Sequence, residues 1–539
     1  MEATILFADM VDSSMLSHVH DPSRYDNLVS SFQDMCADTV EDALRESQDK
    51  ERYIEATVRG DELCMILACD RSEKNHARFE TRVHQCTWLA LQVAIRLKRR
   101  WLVVEENKER IQNGQPPLGI AIGLHAGSVV VRPHRRFIQG LEVPASQKSI
   151  SAEGYAINTA KRVEGISRLG RFSHIYLTRP IYNRTPADFR QAFVRVDVPD
   201  LKGITTAPII YEAKGIGHFD DKAFPQSPEF NEPEHLELYE KVVSNNPDQI
   251  WLLLDLAHKY FDIGEYNKAA ERYKLVIESD PEFAPAYAYL GRAYFRNYRF
   301  AEAHAALESA TDLSKDQVRA NHFFAVCLRR EALFALHKEN SASRAADLLQ
   351  SAIDYHDKAA RTADLEQLDY DWALNGLNWT IAQSCDFHNL SVPYGLDQAF
   401  EKSKRLRSRM ARTQPTKEHL ILHTLGFILM QQKQYAAAKR FLNQAQDNLN
   451  KRKGAAAPDL KGYAERKSEI LYHLGLCEYR SRRQDGLNAA VAKWKEALHT
   501  IQNAWGNQAR WACEGQYWWY ERIETGSGTK TIGNLALQK

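Results

Sequence analysis

Two acidic turns follow strongly apolar segments near the start of the chain. In Ile5-Leu6-Phe7-Ala8-Asp9-Met10-Val11-Asp12-Ser13-Ser14, a run suited to a buried strand ends at Asp9 and Asp12. In Val58-Arg59-Gly60-Asp61-Glu62-Leu63, Asp61 stands at a tip between two apolar runs. If these strands are neighbours, Asp9 and Asp61 converge at one end of a sheet. Two carboxylates on rigid strand ends suit a hard divalent cation, Mg²⁺ or Mn²⁺, with phosphate oxygens completing its shell. The alternative is a pair of turn-capping aspartates, which are common at such places. Asp12 and Glu62 read as solvated turn residues. A second constellation lies in Glu153-Gly154-Tyr155-Ala156-Ile157-Asn158-Thr159-Ala160-Lys161-Arg162. On a helix, Asn158 and Arg162 fall one turn apart on the same face. An amide beside a guanidinium suits a ribose oxygen and a phosphate whose charge grows during reaction. An ordinary solvated helix face is the competing explanation.

The elements that must position these groups alternate over the first 215 or so residues. Thr4–Met10 reads as a strand and Tyr25–Arg45 as a helix. Residues 52–59 and 61–69 read as two strands around a hairpin glycine, Gly60. His84–Val104 is an amphipathic helix ending in the basic Lys98-Arg99-Arg100, and Leu118–Val131 is an apolar segment with glycines at 119, 123 and 127. A helix at Gly154–Leu169, a strand at His174–Thr178 and a hairpin of Phe193–Val198 with Ile209–Ala213 complete the pattern. The β-α-β-β-α-β order with extra edge strands predicts an α+β unit: a ferredoxin-like mixed sheet with helices on one face.

Beyond Gly217 the pattern becomes wholly helical and repeats itself. Leu256-Ala257 with Tyr260, Gly264, Tyr266, Ala269 and Tyr273 recurs 34 residues on as Leu290-Gly291 with Tyr294, Phe300, Ala303 and Leu307. A third copy holds Leu425-Gly426, Tyr435, Ala438 and Leu442; a fourth, with a turn three residues longer, holds Leu474-Gly475, Ala490 and Trp494. The spacing resembles the tetratricopeptide pattern, in which small residues let two helices approach and large ones fill the gap. Residues 318–410 are helical but irregular. Stacked helix pairs expose a groove suited to a protein or peptide ligand, or serve as a spacing or dimerising scaffold. The predicted organisation is an α+β unit over 1–216, a Pro-rich linker over 217–234, an all-α repeat solenoid over 235–510 and a tail over 511–539.

Composition bounds the partners. The 539 residues carry 71 Lys plus Arg against 70 Asp plus Glu, so no overall basic charge points to nucleic acid or to an anionic membrane surface. Eight cysteines occur without a CxxC pair, which disfavours a zinc cluster or disulfide framework and fits free thiols in a reducing cytoplasm. Asp9 and Asp12 break the apolar start, so no signal peptide is expected, and no apolar run is long enough for a membrane span.

Five landmarks stand in order over residues 1–215: Phe7–Ser14, Gly60–Glu62, Gly123–Gly127 (G-x-H-x-G), Gly154–Arg162 (G-x3-N-x3-R), and Leu201-Lys202-Gly203-Ile204 before a strand ending Ile210-Tyr211-Glu212. Together they resemble the catalytic domain of class III nucleotidyl cyclases. The resemblance implies two divalent cations, Mn²⁺ or Mg²⁺, held by Asp9, Asp61 and the Met10 carbonyl. The ribose 3′-oxygen of a nucleoside triphosphate then attacks the α-phosphorus and expels pyrophosphate. Asn158 would orient the ribose and Arg162 would stabilise charge on the reacting phosphate. It also implies a head-to-tail homodimer, with the metal pair from one subunit and the Asn–Arg pair from the other.

At the positions where purine cyclases of this family read the base, this chain has Thr57 and Ser151. Strand alternation puts Tyr53, Glu55, Thr57 and Arg59 on one face, where a ring can stack on a base and an Arg can donate to carbonyl oxygens. A core tyrosine and a structural arginine are the alternative there. These small polar replacements, with Arg59-Gly60-Asp61-Glu62, are similar to the Pycsar pyrimidine cyclases of bacterial anti-phage defence. That resemblance implies synthesis of cyclic UMP, or next cyclic CMP, acting on a separate effector, with the solenoid regulating or sensing infection. An adenylate or guanylate cyclase, or a catalytically silent cyclase-like module serving the repeat scaffold, are the other readings.

Overall fold

The computed structural model describes residues 1–19, 21–46, 53–70, 76–134, 149–198, 201, 204, 208–215, 233–245, 249–297, 299–315, 317–337, 339, 341–365, 371–385, 387, 390–413, 417–452, 460–481 and 486–505. Most of the expected linker and all of the expected tail lie outside these residues. The chain divides into two compact units, Met1–Lys259 and Tyr260–Lys539.

The first unit opens with β1 (Glu2–Met10), α1 (Ser13–Val19), α2 (Pro22–Glu46), β2 (Tyr53–Arg59), β3 (Glu62–Cys69), α3 (His76–Leu102) and α4 (Glu105–Gln112). It continues with β4 (Ile120–Ser128), β5 (Val130–His134), β6 (Ser149–Glu153), α5 (Tyr155–Ser167), β7 (Ile175–Thr178), α6 (Arg179–Arg184), α7 (Ala187–Arg190), β8 (Phe193–Val196) and β9 (Ile210–Ala213). Seven strands form one mixed sheet in the order β2-β3-β1-β4-β7-β9-β8, and β5 and β6 form a separate antiparallel ribbon. β1 runs antiparallel to both β3 and β4, and β2 antiparallel to β3, the split β-α-β arrangement expected from the element order. The β4–β7 pair is parallel, and β8 and β9 form the closing hairpin.

Every residue of β1 is buried, because both faces of the sheet are covered. On one face Thr4 bonds Thr87 of α3 at 3.2 Å. On the other, Ala3, Ile5 and Phe7 pack with Ile66 and Ala68 against Ala156 and Ala160 of α5. The expectation of helices on a single face is therefore corrected: α5 lies on the face opposite α3. Two glycines two strand periods apart make its seat. A Cβ at Gly123 would lie 2.2 Å from the Glu164 nitrogen, and one at Gly127 would lie 3.1 Å from the Ala156 Cβ. The helix backbone occupies space that any other residue would fill.

Two further helices, α8 (Pro233–Asn245) and α9 (Ile250–Asp262), follow in sequence, and α8 and residues 250–259 of α9 belong to the first unit. The basic end of α3 explains this. Lys98, Arg99 and Arg100 are all buried. Arg99 Nε donates to Asp255 at 3.0 Å, Tyr239 Oη donates to the same carboxylate at 2.9 Å, and Lys98 lies 5.6 Å from the centre of the Trp251 ring. Arg100 pairs with Asp42 of α2 at 2.5 Å.

The second unit holds α10 (Tyr266–Ser279), α11 (Ala284–Arg296), α12 (Phe300–Leu313), α13 (Val318–His337), α14 (Ala342–Leu365), α15 (Asp371–Ser384), α16 (Leu396–Thr413), α17 (Glu418–Gln431), α18 (Tyr435–Arg452), α19 (Leu460–Arg480) and α20 (Gly486–Trp505). Successive helices pack against one another, and α11, α13, α15, α17 and α19 touch one another in turn to form a continuous layer. In each regular pair a glycine meets one large side chain. A Cβ at Gly291 would lie 2.5 Å from Leu307, at Gly426 2.7 Å from Leu442, and at Gly475 2.3 Å from Trp494. In the irregular stretch, Gly376 faces His356 and His322 instead of an aliphatic partner. Arg296 with Glu465 at 2.9 Å and Arg330 with Glu469 at 3.8 Å join α11 and α13 to α19.

Candidate active site

Asp9 is the last odd-numbered residue of β1, so it faces α5, one period beyond Phe7. It pairs with Glu62 across to β3 and with Ala121 across to β4. The Met10 N–H donates to the Asp61 carbonyl at 3.2 Å, which ties the end of β1 to the β2–β3 turn. Gly60 makes that turn at φ 60°, where a side chain is disfavoured, and Gln33 of α2 donates to its carbonyl at 3.0 Å. The two aspartates thus stand on adjacent strand tips, close enough for the Asp61 carboxylate to act on Asp9.

Asp9 is 9 % exposed. Its Oδ2 accepts from Arg168 Nη2 at 2.5 Å and lies 3.9 Å from Lys161 Nζ. Its Oδ1 is buried without a hydrogen-bond partner among the described residues. Burial first, then the Glu164 carboxylate, push the Asp9 pKa up to about 6, against the pull of Lys161 and Arg168. Lys161 also bonds Glu62 and sits 2.8 Å from Glu164, above the Phe7 ring. Glu62, read from sequence as a solvated turn residue, is half-buried and held by that lysine.

Arg168 and Lys161 are the neighbours that reading the sequence missed. Arg168 lies 159 residues from Asp9, and the only signal was its place seven residues after Lys161, two helical turns on and so on the same stripe.

Asn158 and Arg162 both lie on α5 and are exposed, and neither makes a hydrogen bond or ion pair among the described residues. Lys161 and Arg168, not this pair, reach Asp9 within the chain. Thr57 is half-buried and Arg59 exposed on β2. Tyr53 pairs with Ala68 and Ser151 with Arg132 in their ladders, but the side chains of Tyr53 and Ser151 lie outside the described residues. Glu55, on the same strand face as Thr57, accepts from the Ala152 N–H at 3.1 Å, so β2 meets the strand that carries Ser151.

The donor set fits a hard divalent cation in kind. Asp9 Oδ1 and the Asp61 carboxylate are oxygen ligands without a protein donor among the described residues. No cluster of three or more His, Cys, Asp or Glu that would hold a metal occurs among the described residues. Further shell members would have to come from carbonyls, water or substrate. Among the described residues no helix is long and apolar enough to cross a membrane.

Comparison with known proteins bears on the helical half. The TPR repeat family matches residues 257–297, which take in most of the first copy read from the sequence and the first helix of the second. Among solved structures, the human IFIT1 dimer with PPP-AAAA is similar at 18 % identity and TM-score 0.33, over 50 % of this chain and 59 % of that one. YrrB, a TPR protein with an unusual peptide-binding site, is similar at 16 % identity and TM-score 0.26, over 40 % of this chain and 93 % of that one. The APC/C hetero-tetramer Cut9–Hcn1 is similar at 15 % identity and TM-score 0.33, over 50 % and 45 %. The chain thus spans about three fifths of the IFIT1 chain. No curated protein matches.

Proposed function

We propose that the first unit is a class III nucleotidyl cyclase that converts a pyrimidine nucleoside triphosphate, UTP first and CTP next, to its 3′,5′-cyclic monophosphate and pyrophosphate. One observation carries the reading: Asp9 and Asp61 stand on adjacent strand tips, each with carboxylate oxygen that no protein group in the described residues has claimed. Asn158 and Arg162 stand solvent-exposed one turn apart on the helix beside them. Neither is bonded to this chain's own aspartates, and their exposure supports a site completed by a second copy in a head-to-tail homodimer.

Asp9 and Asp61, with the Met10 carbonyl, are the groups that would hold two divalent cations, Mn²⁺ or Mg²⁺. Such ions, when bound, acidify the ribose 3′-hydroxyl and neutralise the triphosphate. Asn158 holds the ribose so that its 3′-oxygen lies in line with the α-phosphorus. Arg162 donates to the α-phosphate oxygens as the new O–P bond forms and the bond to pyrophosphate breaks. Thr57 and Ser151 are small enough to admit a pyrimidine, and Tyr53 and Arg59 supply a ring and a donor for it. The product acts as a second messenger on a separate effector in anti-phage defence, and the repeat groove takes a protein or peptide that controls synthesis.

A second reading has its own observation. Arg168 fills Oδ2 of Asp9, which is how a retired metal site in a silent scaffold would be neutralised. Incubating the purified protein with each of the four ribonucleoside triphosphates and Mn²⁺, and weighing the products by mass spectrometry, separates the readings. Cyclic UMP or cyclic CMP that disappears in Asp9→Ala supports the proposal. Cyclic AMP or cyclic GMP alone removes the pyrimidine specificity, and no cyclic product from any nucleotide favours the silent module.

A further inference from the structure

Glu164 of α5 is the most deeply buried acid beside Asp9, 1 % exposed. Its backbone rests on Gly123 of β4, where a Cβ would lie 2.2 Å from the Glu164 nitrogen, so the root of the side chain is fixed against the sheet. Lys161, Glu164 and Arg168 fall at i, i+3 and i+7 on α5 and its C-terminal end, one stripe on the side of Asp9.

The two cations of this stripe are shared among several carboxylates. Lys161 Nζ lies 2.8 Å from Glu164 Oε2 and bonds Glu62, but it stands 3.9 Å from Asp9 Oδ2, too far for a hydrogen bond. Arg168 Nη2 bonds Asp9 Oδ2 at 2.5 Å and lies 3.7 Å from Glu164 Oε1. Glu164 Oε1 is buried and accepts no hydrogen bond among the described residues, and the same holds for Asp9 Oδ1. Each of these two carboxylates therefore keeps one oxygen open, with the cations between them.

That arrangement decides where each cation can go. Without the charge of Glu164, Lys161 has Asp9 as its next carboxylate beyond Glu62, and Oδ1 is open to receive it. An ammonium seated there takes an oxygen that a divalent cation needs. Arg168 presents the converse case. A cation on Asp9 displaces the guanidinium from Oδ2, and a displaced guanidinium settles on an open carboxylate oxygen within reach. Glu164 Oε1 is such an oxygen, and a small swing brings Arg168 onto it.

We propose that Glu164 is a positioning residue of the metal site: it holds Lys161 off Asp9 and receives Arg168 when a divalent cation takes Asp9. The proposal rests on the metal reading of Asp9 and Asp61. Glu164 does not itself bind the ion. Arg168 on Asp9 then marks a site closed at rest, and Glu164 is what allows it to open.

The test measures Mn²⁺ binding to the full-length protein by calorimetry, counting only the binding that is lost in Asp9→Ala. Glu164→Gln keeps the shape and removes the charge, and binding is expected to weaken by about tenfold or more. Lys161→Met is expected to change binding by less than about threefold in the parent but to restore it by about tenfold in Glu164→Gln, because only there has the lysine moved onto Asp9. A lysine acting through its charge alone shifts both backgrounds equally, and equal shifts overturn the proposal while leaving the metal site standing. Undiminished binding in Glu164→Gln overturns it in the same way. No saturable binding to either the parent or Lys161→Met removes the metal reading itself, and the proposal with it. Should Glu164→Gln fail to fold, Glu164→Asp, which draws the charge back from Lys161 by one methylene, decides by the same comparison of the two backgrounds.

Discussion

Arg168 Nη2 donates to Asp9 Oδ2 at 2.5 Å, while Oδ1 of the same carboxylate is buried with no hydrogen-bond partner among the described residues. One oxygen is thus held by a protein cation and the other is left for something else. A metal bound at Asp9 must compete with the guanidinium, whose side chain is 37 % exposed and so has solvent to swing into.

Arg168→Gln is therefore expected to tighten Mn²⁺ binding by about five- to tenfold, the worth of about 1 kcal/mol for one partly exposed ion pair. Calorimetric titration of the purified protein with Mn²⁺ measures this directly, without any turnover. Unchanged or weaker binding would mean that Arg168 does not compete for this carboxylate.

Asn158 and Arg162 are exposed and bonded to nothing among the described residues, so replacing either by alanine is expected to leave the melting temperature almost unmoved. On the proposed cyclase reading, turnover is expected to fall by about a hundredfold or more, since each group would act on the reacting nucleotide. A mixture of Asp9→Ala with Arg162→Ala tests the shared site. Each variant is dead by itself, but a heterodimer rebuilds one intact site, and about a quarter of parental activity should return. No recovery after subunit exchange would place both residue sets in one subunit.

Gly123→Ala probes the seat of α5. The added Cβ would lie 2.2 Å from the Glu164 nitrogen and 2.8 Å from the Ala160 carbonyl, both backbone atoms of a helix that cannot step aside alone. A loss of about 2–3 kcal/mol is expected, read as a lowered urea midpoint. Gly165→Ala, on the same helix with open space around it, serves as the control.

The strands carrying Asp9 and Asp61 were legible because their composition admits little else. Phe7, Ala8 and Met10 lead straight into an acidic turn, and Gly60 punctuates a hairpin. The side on which α5 packs is also written in the sequence, as Gly123 and Gly127 on one strand face, but bare strand glycines do not show what fills the space they leave. The β5–β6 ribbon was hidden because Leu118–Val131 reads as one apolar run. In the fold the ladder breaks at Val129, whose N–H turns to the Met1 carbonyl at 3.0 Å. The cationic side of the candidate site was illegible. Arg168 reaches Asp9 only through tertiary structure, and a basic residue near a helix end normally signals solvent.

Acid is expected to loosen the helical unit. His423 and His473 have folded pKa values of about 4 and about 3, both pulled down chiefly by burial, against about 6.5 when unfolded. Between pH 6.5 and 4 the unfolded chain binds protons that the folded chain refuses, so stability falls as pH falls through that window. The slope is about 1.4 kcal/mol per pH unit for each histidine. Melting curves from pH 7.5 to 4.5 check this, and His473→Gln, which cannot titrate, should flatten the decline.

Asp255, 1 % exposed in α9, receives Arg99 from α3 and the Tyr239 hydroxyl from α8. Asp255→Ala takes this carboxylate away from the buried Arg99 guanidinium, and a loss of about 3–5 kcal/mol is expected. Replacing both members, Asp255→Leu with Arg99→Met, should recover most of that loss, because an apolar pair of similar volume has no charge to desolvate. The same logic applies to shortened chains. A fragment ending at residue 216 lacks Asp255, Tyr239 and Trp251, whereas one ending at residue 262 retains all three. The longer fragment is therefore expected to fold and to melt well above the shorter one. Equal melting temperatures for the two would show that Arg99 finds another acceptor and that α8 and α9 add nothing to the first unit.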